Sequence, residues 1–427
     1  MTRDRMLLLV VILTQLLLSA FAIQRRHGEY LLGDNYFYET PAWNLASGHG
    51  LTMQTAVADD PWLTTSYRAT HPESAQSPDA AYVPSATYAP GYTVFLAAVY
   101  VVGGHRHGAA VVANVLLLIV FLILAWRIIS EMCSTETERL VAAGMLAVFP
   151  GWAFWVSAIL SDMLHATLIA GFAVLFFTEK PSLRRSLLAG LVLGAALLVR
   201  PYPTLLPCAL LVGWWIRRVP ALAPRYLVPM AAVAWACLGT VTVRNYVAFG
   251  KVIPVTAMGL GRVLWQTTYS AGLFEDAGKD PEMQRDDRVV GAAGDWHYHE
   301  PNLAFQKAAI ERIKARPVRW LGLAAWRVVR LWISAVADGA PKIVLLGFGV
   351  FQVVMLALLV AGIFVGWRDR RAMVAGSIVI VVYHWALFVP FGAEGRLLLA
   401  VRVFSIGLGA LAAGAIWRRW RQSKVAT

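Results

Sequence analysis

The stretch GDNYFYETPAWNLASGHGL, residues 33–51, places the carboxylates of Asp34 and Glu39 among aromatic side chains, directly after an apolar segment. A further carboxylate, Asp162, lies between two other apolar segments. A carboxylate in such a position can act as a general base, or it can cap the first turn of a helix. Arginine holds phosphate through two parallel hydrogen bonds. Four arginines lie near the ends of apolar segments: Arg200, Arg244, Arg262 and Arg396.

The composition indicates how these residues are positioned. Of the 427 residues, 58% are hydrophobic, and the mean hydropathy is +0.59. The apolar residues cluster in continuous blocks of about 14–25 residues, the length of membrane-spanning helices. The sequence therefore predicts an all-α polytopic membrane protein. The net charge of +13 comes largely from residues at block ends, which is typical of membrane orientation, and no nucleic-acid-binding motif is present.

The apolar blocks predict about ten transmembrane helices in a single domain, 1–427. The connectors TEKPSLRR, IRRVPALAPR and RDRR and the tail RRWRQSK are basic. By the positive-inside rule they face the cytoplasm. The protein is therefore predicted to cross the inner (plasma) membrane several times, with both termini on the cytoplasmic side. The first block ends in SAFA and could be an anchor or a cleaved signal peptide. The blocks lie at roughly 6–23, 108–129, 139–157, 163–178, 186–199, 204–216, 226–243, 342–366, 372–390 and 397–416.

Two further apolar segments fit this topology only as helices that lie along the outer surface. APGYTVFLAAVYVVGG, residues 89–104, is too short to cross the bilayer comfortably. PVRWLGLAAWRVVRLWISAV, residues 317–336, intersperses arginines among apolar side chains. They belong to two long external loops, 24–107 and 244–341, and the first of these also contains Asp34.

The acidic-aromatic stretch resembles the first external loop of the GT-C class of membrane glycosyltransferases. This class includes the protein O-mannosyltransferases and the lipid A aminoarabinose transferases. YAPGYTVFLAAVYVVGG resembles the surface helix that follows, FPGWAFWVSAILSDMLHATLIAG the next external turn, and AEGRLLLAV the start of the last span. The resemblance covers most of the chain. The positions that match the loop pattern D-x-x-x-Y…A…L-x-x-G-x-G are Asp34, Tyr38, Ala42, Leu45, Gly48 and Gly50.

The resemblance implies that a sugar is transferred from a polyprenyl-phosphate donor to an acceptor hydroxyl on the outer face, with inversion. A phosphate leaves as an anion and needs no protonating acid, so a single general base suffices. Asp34 and Asp162 could share a divalent metal ion or act without one. The implied site residues are Asp34 and Asp162 for catalysis, Arg200, Arg244, Arg262 and Arg396 for the donor phosphate, and Tyr38 and Tyr88 for the sugar or acceptor.

Each of these residues also has a purely structural interpretation. Asp34 and Asp162 could be helix caps, and we expect Glu39 to lie on a solvated face. Arg200 could extend toward the membrane interface without binding anything. Arg396 could pair with Glu394.

Two other functions compete with sugar transfer. A transporter or flippase of lipid-linked sugars would carry ionisable groups in mid-membrane and often internal repeats. Here the blocks are nearly free of acidic residues and no repeat is visible. A polymerase of surface glycans would use the same lipid carrier. The identity of the sugar stays open, as does the acceptor, which could be a glycan, a lipid or a protein.

Overall fold

The computed structural model describes residues 2–26, 33–54, 61–70, 82–178, 180–257, 259–270, 280–290, 299–333, 342–392 and 395–425. Nearly all ordered elements in these ranges are helices, which confirms the all-α class predicted from the sequence. The exception is a short antiparallel pair of strands, β1 (Thr52–Gln54) and β2 (Tyr82–Pro84), in which Met53 lies opposite Val83. This pair lies in the predicted first external loop.

The residues that the structure describes form eighteen α-helices. In chain order they are α1 (Arg3–Arg25), α2 (Tyr36–Ala46), α3 (Pro61–Thr70), α4 (Pro90–Gly103), α5 (His107–Met132), α6 (Glu136–Val148), α7 (Gly151–Val156), α8 (Asp162–Phe176), α9 (Leu183–Val199), α10 (Leu206–Arg217), α11 (Pro224–Phe249), α12 (Gly261–Gln266), α13 (Pro281–Val290), α14 (His299–Ala315), α15 (Pro317–Ile333), α16 (Lys342–Gly366), α17 (Ala372–Phe388) and α18 (Arg402–Val425). Turns of 3₁₀ helix lie at Gly33–Asn35, Tyr202–Leu205, Pro220–Leu222 and Gly395–Val401.

Within the residues that the structure describes, six helical stretches are long and apolar enough to cross a membrane. Each of the ten predicted blocks contains a helix, but α8, α9, α10 and α17 have only 15, 17, 12 and 17 residues, fewer than the roughly 20 that a perpendicular span needs. The count of ten therefore stays a prediction. The six stretches are Arg3–Arg25, His107–Met132, Glu136–Val156, Pro224–Phe249, Leu346–Gly366 and Gly395–Lys424.

The block predicted at 139–157 is broken into α6 and α7 next to Pro150. A proline has no N–H to donate, so backbone carbonyls before it lose their helical partners. The side chain of Gln15, buried in α1, supplies donors in their place. Its Nε2 lies 2.8 Å from the carbonyl oxygen of Leu146 and 2.9 Å from that of Phe149. The break is thus stabilised by α1, a long-range contact that hydropathy cannot predict.

The main core lies where α5, α7, α8, α17 and α18 meet. Large side chains such as Phe121, Trp152, Phe172 and Phe404 are fully buried there. The Trp152 and Phe121 rings lie 5.0 Å apart, within the range of favourable aromatic contact. This core holds in place α8 and α17, whose ends contribute residues to the candidate site.

A smaller core joins α2 to α4, the helix predicted at 89–104. Tyr38 and Ala42 pack with Tyr92, Leu96 and Tyr100 in one buried cluster. Helix α4 begins at Pro90, a residue favoured in the first turn of a helix, and ends before Gly104, whose φ of 72° suits glycine. The helix is therefore present where the sequence placed it, and it supports the acidic-aromatic stretch from one side.

The expectation that Glu39 lies on a solvated face is wrong. One of its carboxylate oxygens lies 2.6 Å from Nε2 of His107 and 3.2 Å from Nε2 of His105. The Tyr100 hydroxyl donates to the same oxygen at 3.5 Å. These contacts fasten α2 to the turn between α4 and α5, because hydrogen bonds to a partly buried carboxylate are among the stronger ones.

Helix α15 occupies most of the second predicted surface segment. Its buried side chains include Ala324, Arg327 and Leu331, whereas Val318 and Leu321 are exposed. The Arg327 guanidinium donates to the backbone carbonyls of Val389, 2.7 Å away, and Thr267, 3.0 Å away. This arginine therefore ties α15 to the end of α17, close to the candidate site.

Candidate functional site

A cavity of about 500 Å³ gathers five of the eight predicted site residues: Asp34, Tyr38, Tyr88, Arg200 and Arg396. We call it the first cavity. Its polar side is formed by the turn at Gly33–Asn35, the loop before α4 and the 3₁₀ turn at Gly395–Val401. The rest of its wall is largely apolar and includes Leu205, Leu260, Val263, Leu387, Phe388, Phe391 and Leu397.

Asp34 contacts Arg396 and Tyr88. One carboxylate oxygen lies 3.5 Å from a guanidinium nitrogen of Arg396, and their side chains are 28% and 17% exposed. The Tyr88 hydroxyl donates a hydrogen bond to the Asp34 carboxylate. The N-cap residue of α2 is Asn35, which makes no side-chain capping bond. The capping interpretation of Asp34 is therefore wrong, and its carboxylate is directed to the cavity.

Two tyrosines beside Asp34 stay protonated because they are buried. Burial raises the pKa of Tyr38 to about 12, although nearby Arg200 opposes the shift. Burial also raises the pKa of Tyr88 well above its usual range, and the adjacent charge of Asp34 adds to the effect. Both hydroxyls therefore remain available as hydrogen-bond donors at neutral pH.

Asp162 makes a different kind of pair. Its carboxylate lies 2.7 Å from a guanidinium nitrogen of Arg200, and the two side chains are 1% and 12% exposed. Arg200 also donates to the Ser161 hydroxyl at 2.8 Å, which in turn lies 3.2 Å from the hydroxyl of Tyr38. Arg200 is therefore bound to the protein, not extended freely to the interface, and Asp162 lies behind it, outside the cavity lining.

The residues do not fit a metal ion shared by Asp34 and Asp162. Asp34 contacts Arg396 and Tyr88, and Asp162 contacts Arg200. Within the ranges that the structure describes, no group of three or more His, Cys, Asp or Glu side chains is arranged to hold an ion. Each carboxylate instead lies beside an arginine, which suits the recognition of an anion.

The other two predicted arginines lie outside the first cavity. Arg262 forms a two-pronged ion pair with Asp287, in which one of the N–O distances is 2.9 Å, and its guanidinium lies over the Phe305 ring. This pair links α12 to α13. Arg244 lines a second cavity, of about 570 Å³. Sequence position near the ends of apolar segments was thus not enough to assign either residue to the site.

The comparisons with known proteins show the fold. No family model and no curated protein matches the sequence. Among solved structures, two of the oligosaccharyltransferase from Archaeoglobus fulgidus match with TM-scores of 0.53 and 0.55, at 10% and 11% identity. They cover 99% and 97% of this chain. The fold of this chain is therefore similar to that of part of this oligosaccharyltransferase.

This likeness agrees with the GT-C resemblance of the sequence and extends only to the fold. The chain spans about half of that enzyme's length, 52% and 49% in the two structures. One holds an inhibitory peptide and a dolichol-phosphate, and the other zinc and sulfate. ArnT from Cupriavidus metallidurans, bound to undecaprenyl phosphate, also matches, with a TM-score of 0.39 at 15% identity over 97% of this chain and 79% of its own.

Several residues of the first cavity were missed by the sequence analysis. Tyr383 in α17 donates to the backbone carbonyl of Tyr202 at 2.7 Å, and both tyrosines line the cavity with Thr204. Tyr202 follows Arg200 closely enough to have been suspected. Tyr383 lies inside a long apolar block, where nothing in the pattern separates a cavity residue from a packing residue.

Proposed function

We propose that this protein is an inverting glycosyltransferase that moves a sugar from a polyprenyl-phosphate donor to an acceptor hydroxyl. The observation that supports this most directly is the composition of the first cavity. A carboxylate, Asp34, and two guanidinium groups, Arg200 and Arg396, share it with a mainly apolar wall. A ligand that suits this wall carries an anionic group on a hydrocarbon chain.

The donor phosphate binds at Arg396, assisted by Arg200. The Arg396 guanidinium lies beside the Asp34 carboxylate, 3.5 Å away, whereas that of Arg200 lies 2.7 Å from Asp162. The prenyl chain lies along the apolar side chains, among them Leu387 and Phe388. The neighbour's complex with a dolichol-phosphate supports a lipid of this class.

Asp34 acts as the general base. The acceptor oxygen attacks the anomeric carbon of the sugar from the face opposite the phosphate, and a new C–O bond forms as the C–O bond to phosphate breaks. The proton of the acceptor hydroxyl passes to Asp34, and the polyprenyl phosphate leaves as an anion with the bonding electron pair. Tyr88, which donates to Asp34, orients the carboxylate. A single displacement of this kind inverts the anomeric centre.

The site faces the outside of the cell in this proposal. The basic connectors and tail then lie in the cytoplasm with both termini, as the positive-inside rule predicts, and the four shorter helices complete ten spans. The N-terminal ends of α8 and α18 and the C-terminal end of α9 then reach the outer surface together. These ends carry Asp162, Arg396 and Arg200, which supports a common outer site.

The experiment that tests the function is donor consumption by the purified protein. The protein is reconstituted in nanodiscs with a polyprenyl-phosphate sugar and with a membrane extract as the source of acceptor. We expect release of free polyprenyl phosphate and incorporation of the sugar into a product of inverted configuration. Donor that binds but is recovered intact, or that merely moves between leaflets, would instead identify a carrier.

A further inference from the structure

The second cavity lies directly beside the first, separated by a thin wall. Tyr88 and Val199 line both cavities. The wall is thin because the first turn of α4 lies against the end of α9. A Cβ atom at Gly91 would come within 2.6 Å of the Leu198 carbonyl oxygen, so only glycine permits this approach.

The second cavity is lined almost entirely by hydrocarbon. Its side chains come from α4, α8, α9 and α11, and they include Val94, Leu168, Ala195, Leu198 and Val241. Leu164 and Leu198, which also line this cavity, lie near the same helix ends that carry Asp162 and Arg200, so the two cavities adjoin at that level. Val94 is also half exposed on the outside of α4, which opens the cavity toward the surrounding lipid.

A single cation, Arg244, stands in this apolar lining. Its guanidinium donates to the carbonyl oxygens of Ser85, 2.7 Å away, and Leu51, 3.1 Å away, and to the amide oxygen of Asn245. Among the described residues no carboxylate pairs with it. Its positive charge is therefore held in place by neutral groups and is not neutralised by the protein, an arrangement that favours an anionic ligand.

We propose that the second cavity binds the acceptor, and that the acceptor is an anionic membrane lipid. Its hydrocarbon chain lies among the side chains of α4, α8, α9 and α11, and its anionic head group binds Arg244. Its hydroxyl reaches Asp34 past Tyr88, the residue that both cavities share. This inference rests on the proposed sugar transfer, and it assigns Arg244 to the acceptor, not to the donor phosphate as the sequence had suggested.

Photolabelling tests the proposal. The probe is a phosphatidylglycerol, which has both an anionic phosphate and free hydroxyls, with a diazirine in one acyl chain, present as a minor component of phosphatidylcholine nanodiscs. We expect labelling of the α8 segment that contains Leu164 and Leu168, and about tenfold less with a diacylglycerol that carries the same chain, since it lacks the charge that Arg244 binds. Labelling confined to outward-facing positions such as Val212 on α10, or equal labelling by both probes, would overturn it.

Matched variants separate the parts of the claim. Ala195→Trp fills the cavity and should abolish the α8 labelling, whereas Val212→Trp on the outer surface of α10 should not change it. Arg244→Gln should remove the preference for the charged probe. Donor consumption distinguishes the two proposals. A protein that consumes donor but shows no α8 labelling refutes only the lipid acceptor, whereas one that binds the probe but consumes no donor refutes the transferase.

Discussion

Two aspartate–arginine pairs near helix ends look alike in the sequence and differ in the structure. Asp162 and Arg200 are 2.7 Å apart, and the Asp162 side chain is 1% exposed. Asp34 and Arg396 are 3.5 Å apart, and the Asp34 side chain is 28% exposed. Both arginines face the first cavity, but only one of the two carboxylates does.

The difference in distance and exposure between the two pairs indicates which charged groups a substrate can reach. A buried pair in close contact is a structural unit, because separating its members leaves an uncompensated charge in a poorly solvated place. A long, partly exposed contact contributes little to stability and can be exchanged for a ligand at little cost. We therefore propose that the substrate separates Asp34 from Arg396, while Asp162 holds Arg200 in position.

The largest effect on stability should follow from breaking the buried pair. We expect Asp162→Ala to destabilise the protein by about 3–5 kcal/mol, because Arg200 would keep its charge without a partner. Thermal unfolding in detergent measures the loss. The double variant with Arg200→Met should recover most of the stability, since both charges are then gone. A double variant as unstable as the single one would contradict the role of the pair.

The open pair should respond in the opposite way. We expect Arg396→Ala to weaken donor binding about 10- to 100-fold, the effect of losing hydrogen bonds to a charged group, and to destabilise the protein less than Asp162→Ala does. Arg396→Lys should recover only part of the donor affinity, because lysine cannot make the bidentate hydrogen bonds that arginine makes to phosphate. Titration with undecaprenyl phosphate gives the affinity, and Arg225→Ala, in the first turn of α11 and outside the first cavity, is the control.

We expect a smaller effect on transfer from removing the Tyr88 hydroxyl, which donates to the Asp34 carboxylate. Tyr88→Phe should slow transfer about 3- to 10-fold, the effect of one hydrogen bond, and leave donor binding unchanged. The raised pKa of Tyr88 predicts no loss of this donor as the pH rises from about 8 to 10, where an ordinary tyrosine begins to ionise. A rate profile over this pH range checks it, with Tyr246→Phe as the control. A wild-type rate that falls with loss of the Tyr88 proton below pH 10 would contradict the assignment.

Local patterns predicted the elements well. Continuous hydropathy located a helix in every apolar block, and the short segments at 89–104 and 317–336 contain α4 and α15. Asp34 and Tyr38 were assigned to the site because their short stretch resembles the GT-C loop, and both line the first cavity. Such a pattern is formed by residues that are close in the sequence, so it can be recognised without knowledge of the tertiary structure.

Contacts between distant residues could not be predicted in the same way. Asp287, which binds Arg262, and the two histidines around Glu39 are brought close only by the packing of separate helices. The break at Pro150 likewise depends on Gln15 of another helix. Periodicity tells which face of a helix is apolar, but it does not tell which helix covers that face, so the partner of each charge stayed open.

The central claim is that Asp34, and not the buried Asp162, takes the proton from the acceptor. The most direct measurement is single-turnover transfer by purified Asp34→Asn protein with bound donor. Asn keeps the shape of the side chain but is not a base, and general-base catalysis contributes about 10²–10⁴-fold. We therefore predict donor binding within a few-fold of wild type and transfer at least about 100-fold slower. Transfer at a near-wild-type rate by Asp34→Asn would contradict the account.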